Sequence, residues 1–473
     1  MKRQTRHGYK RYILFICVLL SLFACAVGPD FTAPTQNNVT LNHNPDLFKI
    51  EQQPDTYWWK AFNNQEINQL VETYGTNNFS VGIANKTLEA SQYALQAGKG
   101  VFYPQVTLNT STAKQNYFLA PIGNLSNQSI YTISTLTATV SYALDLFGMN
   151  RRINEGLTAQ VATDEALKKG VQLTLIGHMI NTALTIAAYQ DELKLIDENK
   201  NILISIHSLY QQQFDSGLIS YDAVNTAQLQ INRLNSTRNL LETNLHYAKH
   251  LLNALCSLPP DKKTTIHFSI HDISLPPTLP LSISSVWMKQ RPDIEAALAQ
   301  LHLASANVGV ARAAQFPNIT LSASMGRANT SYSQLLSSNN PIWGISTNLS
   351  QSLLSGGTLA ANHQRAITLF EQSALNYQQT VINAFKEVSD VMSAINEDRV
   401  ELNNQTQLLL LQKNSVNLIQ ANYYSGRVNG IQYLSTLSNV KQTEIDWLNA
   451  KVNSLQNTTL WYLALGSTNY PAY

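Results

Sequence analysis

The chain has 473 residues and a formal net charge of +2, with only 13% of its residues charged. A soluble protein of this length usually carries about a quarter charged residues, so the composition favours either surfaces that meet lipid on one side and water on the other, or a helical protein rich in Gln and Asn. Residues 1–24 contain five basic and no acidic residues, so +2 minus these five leaves −3 for the rest of the chain, which has no basic excess to offer nucleic acid.

Residues 1–24 are typical of a secretory signal peptide, because basic residues precede a short apolar run from Tyr12 to Ala24. This run is shorter than the roughly 20 residues of a membrane-spanning helix. Leu22-Phe23-Ala24-Cys25 resembles a bacterial lipoprotein box, although Phe23 is bulkier than the residue usual there. We therefore expect a covalent lipid such as palmitate on Cys25; the alternative is ordinary cleavage beside an incidental cysteine.

The first half of the mature chain predicts an arm, then helices, then strands. Residues 25–60 are rich in Pro, Asn and Thr and predict an extended arm lying on the protein. The aromatic residues Trp58, Trp59 and Phe62 predict core packing where the first helices begin. A helical run from Leu88 ends at Tyr103-Pro104, and alternating apolar and polar residues follow it.

The same change from helix to strand occurs again in the second half. An alanine-rich helical run that starts at Arg291 ends at Phe316-Pro317, because the residue before a proline is disfavoured in a helix. Asn318 to Met325 then alternates apolar and polar residues with the period of a strand. Pro317 follows Pro104 by 213 residues, which predicts an internal two-fold repeat.

Each half contributes two predicted strands, about 104–115 and 131–145, then about 316–328 and 342–354. Roughly ten residues of alternation is what a tilted strand needs to cross a bilayer, although a sandwich strand with one wet face shows the same pattern. Four strands cannot close a barrel, whose single-chain minimum is about eight. An open sheet edge in hydrocarbon leaves backbone groups unpaired, so membrane strands would require several chains to share one barrel.

Long helices are predicted in the two intervals that lack proline, between Pro121 and Pro259 and between Pro341 and Pro471. Apolar residues after Asp222 recur every seven positions, with Arg238 as the exception. The members of this stripe are Ala227, Ile231, Leu234, Leu241, Leu245, Ala248, Leu252 and Leu255. Such spacing predicts supercoiled packing of helices, and a two-helix coiled coil would explain it equally well.

Residues 258–290 hold five prolines around Thr264 to Ile273 and predict a link with a short strand; the stretch that holds His267 and His271 is interpreted as a strand or a loop. The boundaries are then a signal peptide 1–24, an acylated arm 25–60, first-repeat helices 61–103, a first strand pair 104–147, long helices 148–257, an equatorial link 258–290, a second-repeat helix 291–315, a second strand pair 316–355, long helices 356–465 and a C-terminal tail 466–473.

Several motifs along the mature chain resemble one known family, the TolC/OprM-like outer-membrane channels, in the lipoprotein branch that partners resistance-nodulation-division pumps. The matching segments are Cys25 with Val27-Gly28-Pro29-Asp30-Phe31, Asp145-Leu146-Phe147-Gly148, Arg291-Pro292-Asp293-Ile294, Ala311-Arg312-Ala313-Ala314, Ala384-Phe385-Lys386-Glu387-Val388 and Tyr423-x-x-Gly426.

The resemblance implies an α+β membrane protein that forms a homotrimer. Three sets of four strands would form one twelve-stranded outer-membrane β-barrel, and the long helices an α-helical barrel reaching across the periplasm. A periplasmic adaptor (a membrane fusion protein) and an inner-membrane pump would be the partners, with outer-membrane lipid around the barrel.

The resemblance also implies a closed periplasmic end where paired helices turn. Phe214-x-x-Gly217 and Tyr423-x-x-Gly426 would mark the turns, with helix-turn glycines 209 residues apart. Ile431 matches the bulky apolar gate position of relatives, while Ser435 stands where relatives place an acid. Our hypothesis is that Tyr423, Ile431 and Asp222 line the closed tip; alternatively, Asp222 follows Ser220 and simply suits the start of a helix.

No enzyme motif is present: the sequence has no G-x-S-x-G, H-E-x-x-H, phosphate-binding glycine loop or C-x-x-C. His178 is expected to be a packed core residue, and His267 with His271 is not expected to bind a metal. No catalytic residue, metal or cofactor beyond the lipid on Cys25 is expected.

Three functions remain open. The favoured one is a passive trimeric outer-membrane duct of a tripartite efflux system that exports drugs or other small amphiphilic compounds. The second is the channel of a type I protein secretion system. The third, of another class, is a non-channel coiled-coil envelope lipoprotein.

Overall fold

A computed structural model describes residues 26–34, 44–50, 57–118, 128–262, 266–281, 290–337 and 340–466. The predicted signal peptide, the predicted lipid site at Cys25 and much of the predicted arm lie outside these residues.

Long helices dominate the described chain, with strands in two places. The α-helices are α1 (Gln65–Tyr74), α2 (Phe79–Lys99), α3 (Met149–Asp215), α4 (Tyr221–Leu255), α5 (Pro292–Ala313), α6 (Thr358–Tyr424) and α7 (Gly430–Ala464). The strands are β1 (Phe48–Ile50), β2 (Gln105–Phe118), β3 (Gln128–Leu144), β4 (Leu279–Leu281), β5 (Asn318–Asn329) and β6 (Pro341–Ser350).

The two halves of the chain have helices of equal length. Helices α3 and α6 each have 67 residues, and α4 and α7 each have 35. The halves differ instead in the strand segments, because the interval from Pro104 to Met149 is 45 residues and that from Pro317 to Thr358 is 41. This explains why the repeat offset is 213 at the prolines and 209 at the helix-turn glycines.

Contacts divide the chain into two compact units. The sheet unit holds Thr87–Asp164 and Ala296–Tyr377, together with the described residues up to Pro34. Its four strands form an antiparallel sheet in the order β2-β3-β5-β6. Small residues let its helices approach closely: a Cβ on Gly156 would lie 3.1 Å from Leu303 Cδ1.

The helical unit holds the described parts of Thr35–Lys86, Glu165–Glu295 and Gln378–Tyr473. Its core is built on large side chains with almost no exposure, among them Trp58, Phe62, Met179, Leu252 and Trp461. The short strands β1 and β4 pair in parallel at this core, and Trp461 Nε1 donates to the carbonyl of Pro280 over 3.0 Å. Burial of Trp58, Trp59 and Phe62 confirms their predicted packing role.

The seven-residue stripe of α4 is confirmed. Ala227, Ile231, Leu241, Leu245, Ala248 and Leu252 are buried. Arg238, the one polar member, bonds to Asp197 of α3 and Glu242 of α4 at 2.8 Å each. An ion pair therefore replaces apolar contact at one level of the helix packing.

The link contains a short strand as predicted, but this strand lies outside Thr264 to Ile273. Residues 263–265 lie outside the described chain, Ile270–Asp272 form a short 3-10 helix, and the strand of this link is β4. The cause is local hydrogen bonding, since the Ser269 hydroxyl accepts from His271 N and the Asp272 carboxylate accepts from Ser269 N. Such side-chain bonds compete with strand pairing.

The expected core position of His178 is also wrong, since this residue is exposed. The buried positions of this part of α3 are taken by Leu175, Ile176, Met179 and Ile180. This stretch of α3 is apolar and long enough to cross a membrane, but 67% of it is buried inside the molecule, as in a helix at the centre of a core.

Candidate functional site

The four-stranded sheet has one apolar face and one hydroxyl-rich face. Paired residues share a face, so the register places Leu108, Ala138, Met325 and Trp343 in one row across all four strands. Leu108, Met325 and Trp343 are 73%, 71% and 79% exposed. We call the face that carries this row the apolar face; it is a surface suited to lipid.

The opposite face carries small polar side chains. One row across it holds Thr107, Thr139, Ser324 and Gly344, and we call it the hydroxyl face. Its side chains bond across strands; the hydroxyls of Ser111 and Thr135, for example, lie 2.8 Å apart. Such a surface can contact water and form weak hydrogen bonds with a polar solute, without binding it by ionic interactions.

Charge is almost absent from the sheet. Lys114 and Arg327 are the charged residues of the four described strands, and both lie on the apolar face. One end of the sheet continues into helices; at the other end β2 and β5 end and β3 and β6 begin. Lys114 and Arg327 both lie towards the latter end, which we call the hairpin end.

The two predicted helix turns, which we call the tips, have the same backbone. In the first, Gly217 N donates to Phe214 O and Leu218 N to Gln213 O. In the second, Gly426 N donates to Tyr423 O and Arg427 N to Asn422 O. These two bonds in each tip form the motif that ends a helix at a left-handed residue.

The predicted gate residues differ in how far they are exposed to solvent. Tyr423 is 40% exposed and stacks on Tyr433 with ring centroids 5.3 Å apart. Asp222 is exposed in the first turn of α4, and the Ser220 side chain makes no capping bond there.

Ile431 and Ser435 are half-buried instead. Ile431 packs against the buried cluster of Leu203, Ile206 and Ile231. The four predicted gate residues therefore do not form one shared surface in a single chain: Tyr423 and Asp222 are open to solvent, whereas Ile431 belongs to the packing of α3, α4 and α7.

A charge network that was not predicted from the sequence joins three helices, α3, α6 and α7. Lys441 of α7 lies 2.7 Å from Glu198 of α3 and 2.9 Å from Glu444, and Lys413 of α6 lies 3.2 Å from Glu444. Burial opposes these charges, but the hydrogen bonds raise the pKa of Lys441 and lower that of Glu444. Glu198 and Lys413 are too far from Lys441 in sequence for local spacing to reveal them, although Glu444 lies only three residues away.

Two of the sequence motifs meet at Arg291, which is 6% exposed. Its guanidinium donates to Asp293 at 2.9 Å, to Glu387 at 2.7 Å and to the carbonyl of Ala464. The Arg-Pro-Asp segment therefore fixes the start of α5 against α6 and the end of α7.

The described start of the arm is held by Arg152, a buried residue of α3. Its guanidinium donates to the Val27 and Gly28 carbonyls and to Asp30, and it is paired with Glu155 at 2.8 Å. These contacts place the residues that follow Cys25 beside the junction of β3 and α3.

Among the described residues, no three His, Cys, Asp or Glu side chains are arranged to hold a metal ion. His271 stacks on Trp447 with ring centroids 4.8 Å apart. Cys256 is a buried free thiol, and burial raises its pKa to about 11, which disfavours the reactive thiolate.

Comparison with known proteins links these features to one family. The family model described as outer membrane efflux protein matches residues 70–256 and 284–467. The pyoverdine export outer membrane protein OpmQ of Pseudomonas putida strain KT2440 is 25% identical over 463 residues, covering 96% of this chain and 97% of that protein. The probable outer membrane lipoprotein SilC of Salmonella typhimurium is also 25% identical, over 97% of this chain and 99% of that protein.

The same fold occurs among solved structures. The outer-membrane channel OprN superposes with a TM-score of 0.83, covering 94% of this chain and 99% of that one, at 22% sequence identity. This likeness concerns the fold of a single chain.

Proposed function

The chain belongs to the outer membrane efflux protein family, and from this premise we propose that three copies form a passive duct through the outer membrane. It lies in the outer membrane, as its family does, and the family consists of channels, not enzymes. The three chains would contribute four strands each to one twelve-stranded β-barrel, and their long helices would form an α-helical barrel in the periplasm.

One observation carries this proposal: the sheet cannot be complete in one chain. Within the described residues β2 and β6 are the outer strands of a four-stranded sheet, and the apolar face is widely exposed. Unpaired strand edges are unfavourable in hydrocarbon, because each backbone N–H or C=O group without a partner costs roughly several kcal/mol. Joining β2 of one copy to β6 of the next removes both edges.

The hydroxyl face would line the barrel and the apolar face would meet lipid. A wall without charged side chains suits small amphiphilic solutes, and we propose drugs or similar compounds as the cargo of a pump-driven system. Relatives named for pyoverdine export support a small-molecule cargo. The energy would come from an inner-membrane pump, linked to the tips by a periplasmic adaptor.

Exposed apolar side chains support a partner at the tips. Leu218, which follows Gly217, is 75% exposed, and Tyr424, two residues before Gly426, is 77% exposed. Water-exposed side chains of this kind mark interaction sites when they occur in groups. A lipid on Cys25 would add an anchor, as in the probable lipoprotein SilC.

The decisive experiment is reconstitution of the purified chain in planar bilayers, with gel mobility compared before and after heating. We expect an oligomer of three chains that dissociates into a faster-migrating monomer only on heating, and discrete conductance steps. A monomer in mild detergent without conductance would favour the coiled-coil lipoprotein. Deleting the gene then separates the two ducts: raised drug susceptibility supports efflux, and loss of one secreted protein supports type I secretion.

A further inference from the structure

The strand segments carry an unbalanced charge. Residues 104–144 and 316–357 contain Lys114 and Arg327 but no Asp or Glu. Three copies in one barrel would thus hold six positive charges in their strand pairs, with no acidic residue of the same segments to neutralise them.

Register puts both charges on the lipid side and at one end. Arg327 pairs with Leu136 and Lys114 with Thr132, positions that share the apolar face with Leu108 and Met325. Towards the helix-connected end, the same face carries Val106, Val140 and Leu321 and no charge among the described residues. The two cations therefore lie outside the barrel wall, near the hairpin end.

The surroundings of Arg327 are those of a membrane interface. Arg327 pairs with Pro341, and Trp343 lies two residues along β6 on the same face. Tryptophan is enriched where the hydrocarbon meets the headgroups. One guanidinium nitrogen of Arg327, Nη1, donates to the carbonyl of Leu336, which orients the side chain. Its other N–H groups and the Lys114 ammonium make no hydrogen bond within the described residues.

We propose that Lys114 and Arg327 bind the phosphate groups of anionic lipid headgroups around the hairpin end of the barrel. Charge complementarity identifies the occupant, because guanidinium and ammonium groups form strong charge-assisted hydrogen bonds with phosphate. A cation at the surface of an anionic leaflet is favoured, whereas one in hydrocarbon is costly. This proposal rests on the proposed function, in which the apolar face meets lipid.

Trp343 supplies a local reporter for the test. The full-length protein is reconstituted in phosphatidylcholine vesicles that contain brominated phosphatidic acid or brominated phosphatidylcholine. Because the chain has six tryptophans, the part of the fluorescence quenching that a Trp343→Phe variant loses measures the lipid bound beside Trp343. We expect phosphatidic acid to be preferred about five-fold over phosphatidylcholine at Arg327. This is the size of effect that one basic residue has on binding near an anionic surface. Arg327→Gln should abolish this preference, and Arg327→Lys should retain most of it.

A face-swapped variant separates position from net charge. Arg327→Gln with Ala328→Arg keeps the charge but moves it to the hydroxyl face, since Ala328 pairs with Thr135. We expect it to lose the preference; a retained preference would overturn the proposal. Native mass spectrometry of retained phosphatidic acid provides the same test for Lys114→Gln and for Lys114→Gln with Ala113→Lys, with the exposed Lys194→Gln of α3 as the neutral control.

Soluble inorganic phosphate distinguishes a lipid site from a free anion site. If phosphate at the concentration of the lipid headgroup removed the preference, the site would bind free phosphate and the lipid assignment would fall. All variants are assayed as heat-modifiable oligomers that conduct. Failure of the unsubstituted protein to oligomerise or conduct would overturn the proposed duct, whereas equal quenching by both lipids in a conducting oligomer would overturn this inference alone.

Discussion

Gly217 and Gly426 end the two 67-residue helices with the same φ of +73°. A Cβ at either position would meet nothing within 4 Å, so alanine there tests the backbone alone. We expect Gly217→Ala and Gly426→Ala each to destabilise their tip by about 1 kcal/mol, because left-handed backbone is unfavourable with a side chain. Faster hydrogen exchange at the Leu218 and Arg427 amides, which close the turns, measures this effect.

Gly82 supplies the matched control. It lies inside α2, where a Cβ also meets nothing within 4 Å, but its φ is not positive. Gly82→Ala should stabilise α2 by about 0.5–1 kcal/mol. Equal effects at all three glycines would contradict a conformational requirement at the tips.

The second prediction concerns the helix starts after the tips. The Asn429 side chain accepts from Gln432 N at 2.8 Å, whereas Ser220 makes no side-chain capping bond. Asn429→Ala should therefore cost about 1 kcal/mol and Ser220→Ala almost nothing. Hydrogen exchange in the first turns of α7 and α4 checks this difference; a larger loss in α4 would contradict it.

Ion conductance tests the gate hypothesis. Tyr423→Ala and Asp222→Asn should raise conductance in planar bilayers. Asp222→Asn should leave the unfolding temperature unchanged because its side chain is exposed, whereas Tyr423→Ala also removes the stacking on Tyr433. Tyr247→Ala, an exposed tyrosine far from the tips on α4, is the control. Unchanged conductance in Tyr423→Ala would count against a gate at this tip.

Ile431→Ala should behave differently from these two substitutions. Its side chain packs against Leu203, Ile206 and Ile231, so its removal should destabilise the helices by about 1–3 kcal/mol as well as open the tip. Ser435→Asp, which supplies the carboxylate of relatives, should make the current more cation-selective. A raised conductance in Ile431→Ala without loss of stability would indicate a pore-lining side chain and not a packed one.

Acidification should loosen the charge network of Glu444. Hydrogen bonds from Lys441 and Lys413 lower the pKa of Glu444 below its ordinary value of 4.5 in spite of burial. A carboxyl group whose pKa is lowered by folding stabilises the fold at any pH above its ordinary pKa. This stability is lost as the pH falls through the pKa of the folded state. Lys441, whose pKa is raised, contributes from neutral pH up to alkaline pH beyond 10.5.

The unfolding temperature should therefore be steady near neutrality and fall below about pH 4.5. Glu444→Gln should lower it at neutral pH and flatten the acid decline. Glu397→Gln, an exposed glutamate of α6, is the control. An acid decline of the same size in Glu444→Gln would assign the transition to other carboxylates.

Arg152→Met should release the start of the arm. The substitution keeps much of the side-chain volume but removes the bonds to Val27, Gly28 and Asp30. We expect faster exchange of the Val27 amide, which donates to Phe147 O at 3.1 Å, and a loss of about 1–3 kcal/mol from the bonds that are broken. Arg233→Met, at an exposed position of α4, is the control. Unchanged exchange of the Val27 amide in Arg152→Met would contradict the role of Arg152 in holding the arm.

Features set by local pattern were predictable from the sequence. Alternation at Thr135 to Val140 predicted the two faces of β3, and the seven-residue stripe of α4 predicted its buried side. The family follows from motifs such as Arg291-Pro292-Asp293, but their structural reason appears only in three dimensions, where Arg291 meets Glu387 and Ala464.

Features set by distant partners were not predictable. Nothing near Lys441 announces Glu198 or Lys413, which lie hundreds or tens of residues away. Local hydrogen bonding also mattered: Ser269 and Asp272 form a capping box in the stretch that was interpreted as a strand or a loop. His178 lies in an apolar run of α3, but its side chain is exposed, because Leu175, Ile176, Met179 and Ile180 take the buried positions there.

The equal helix lengths of the two halves limit how this chain can change over evolutionary time. One extra residue inside α3 would rotate the rest of this helix by about 100°. Its buried side chains would then face solvent, and Glu198 would move away from Lys441. Insertions and deletions should therefore accumulate in the strand segments, where the halves already differ in length. The long helices should change by substitution alone, or by coordinated gains and losses in both copies.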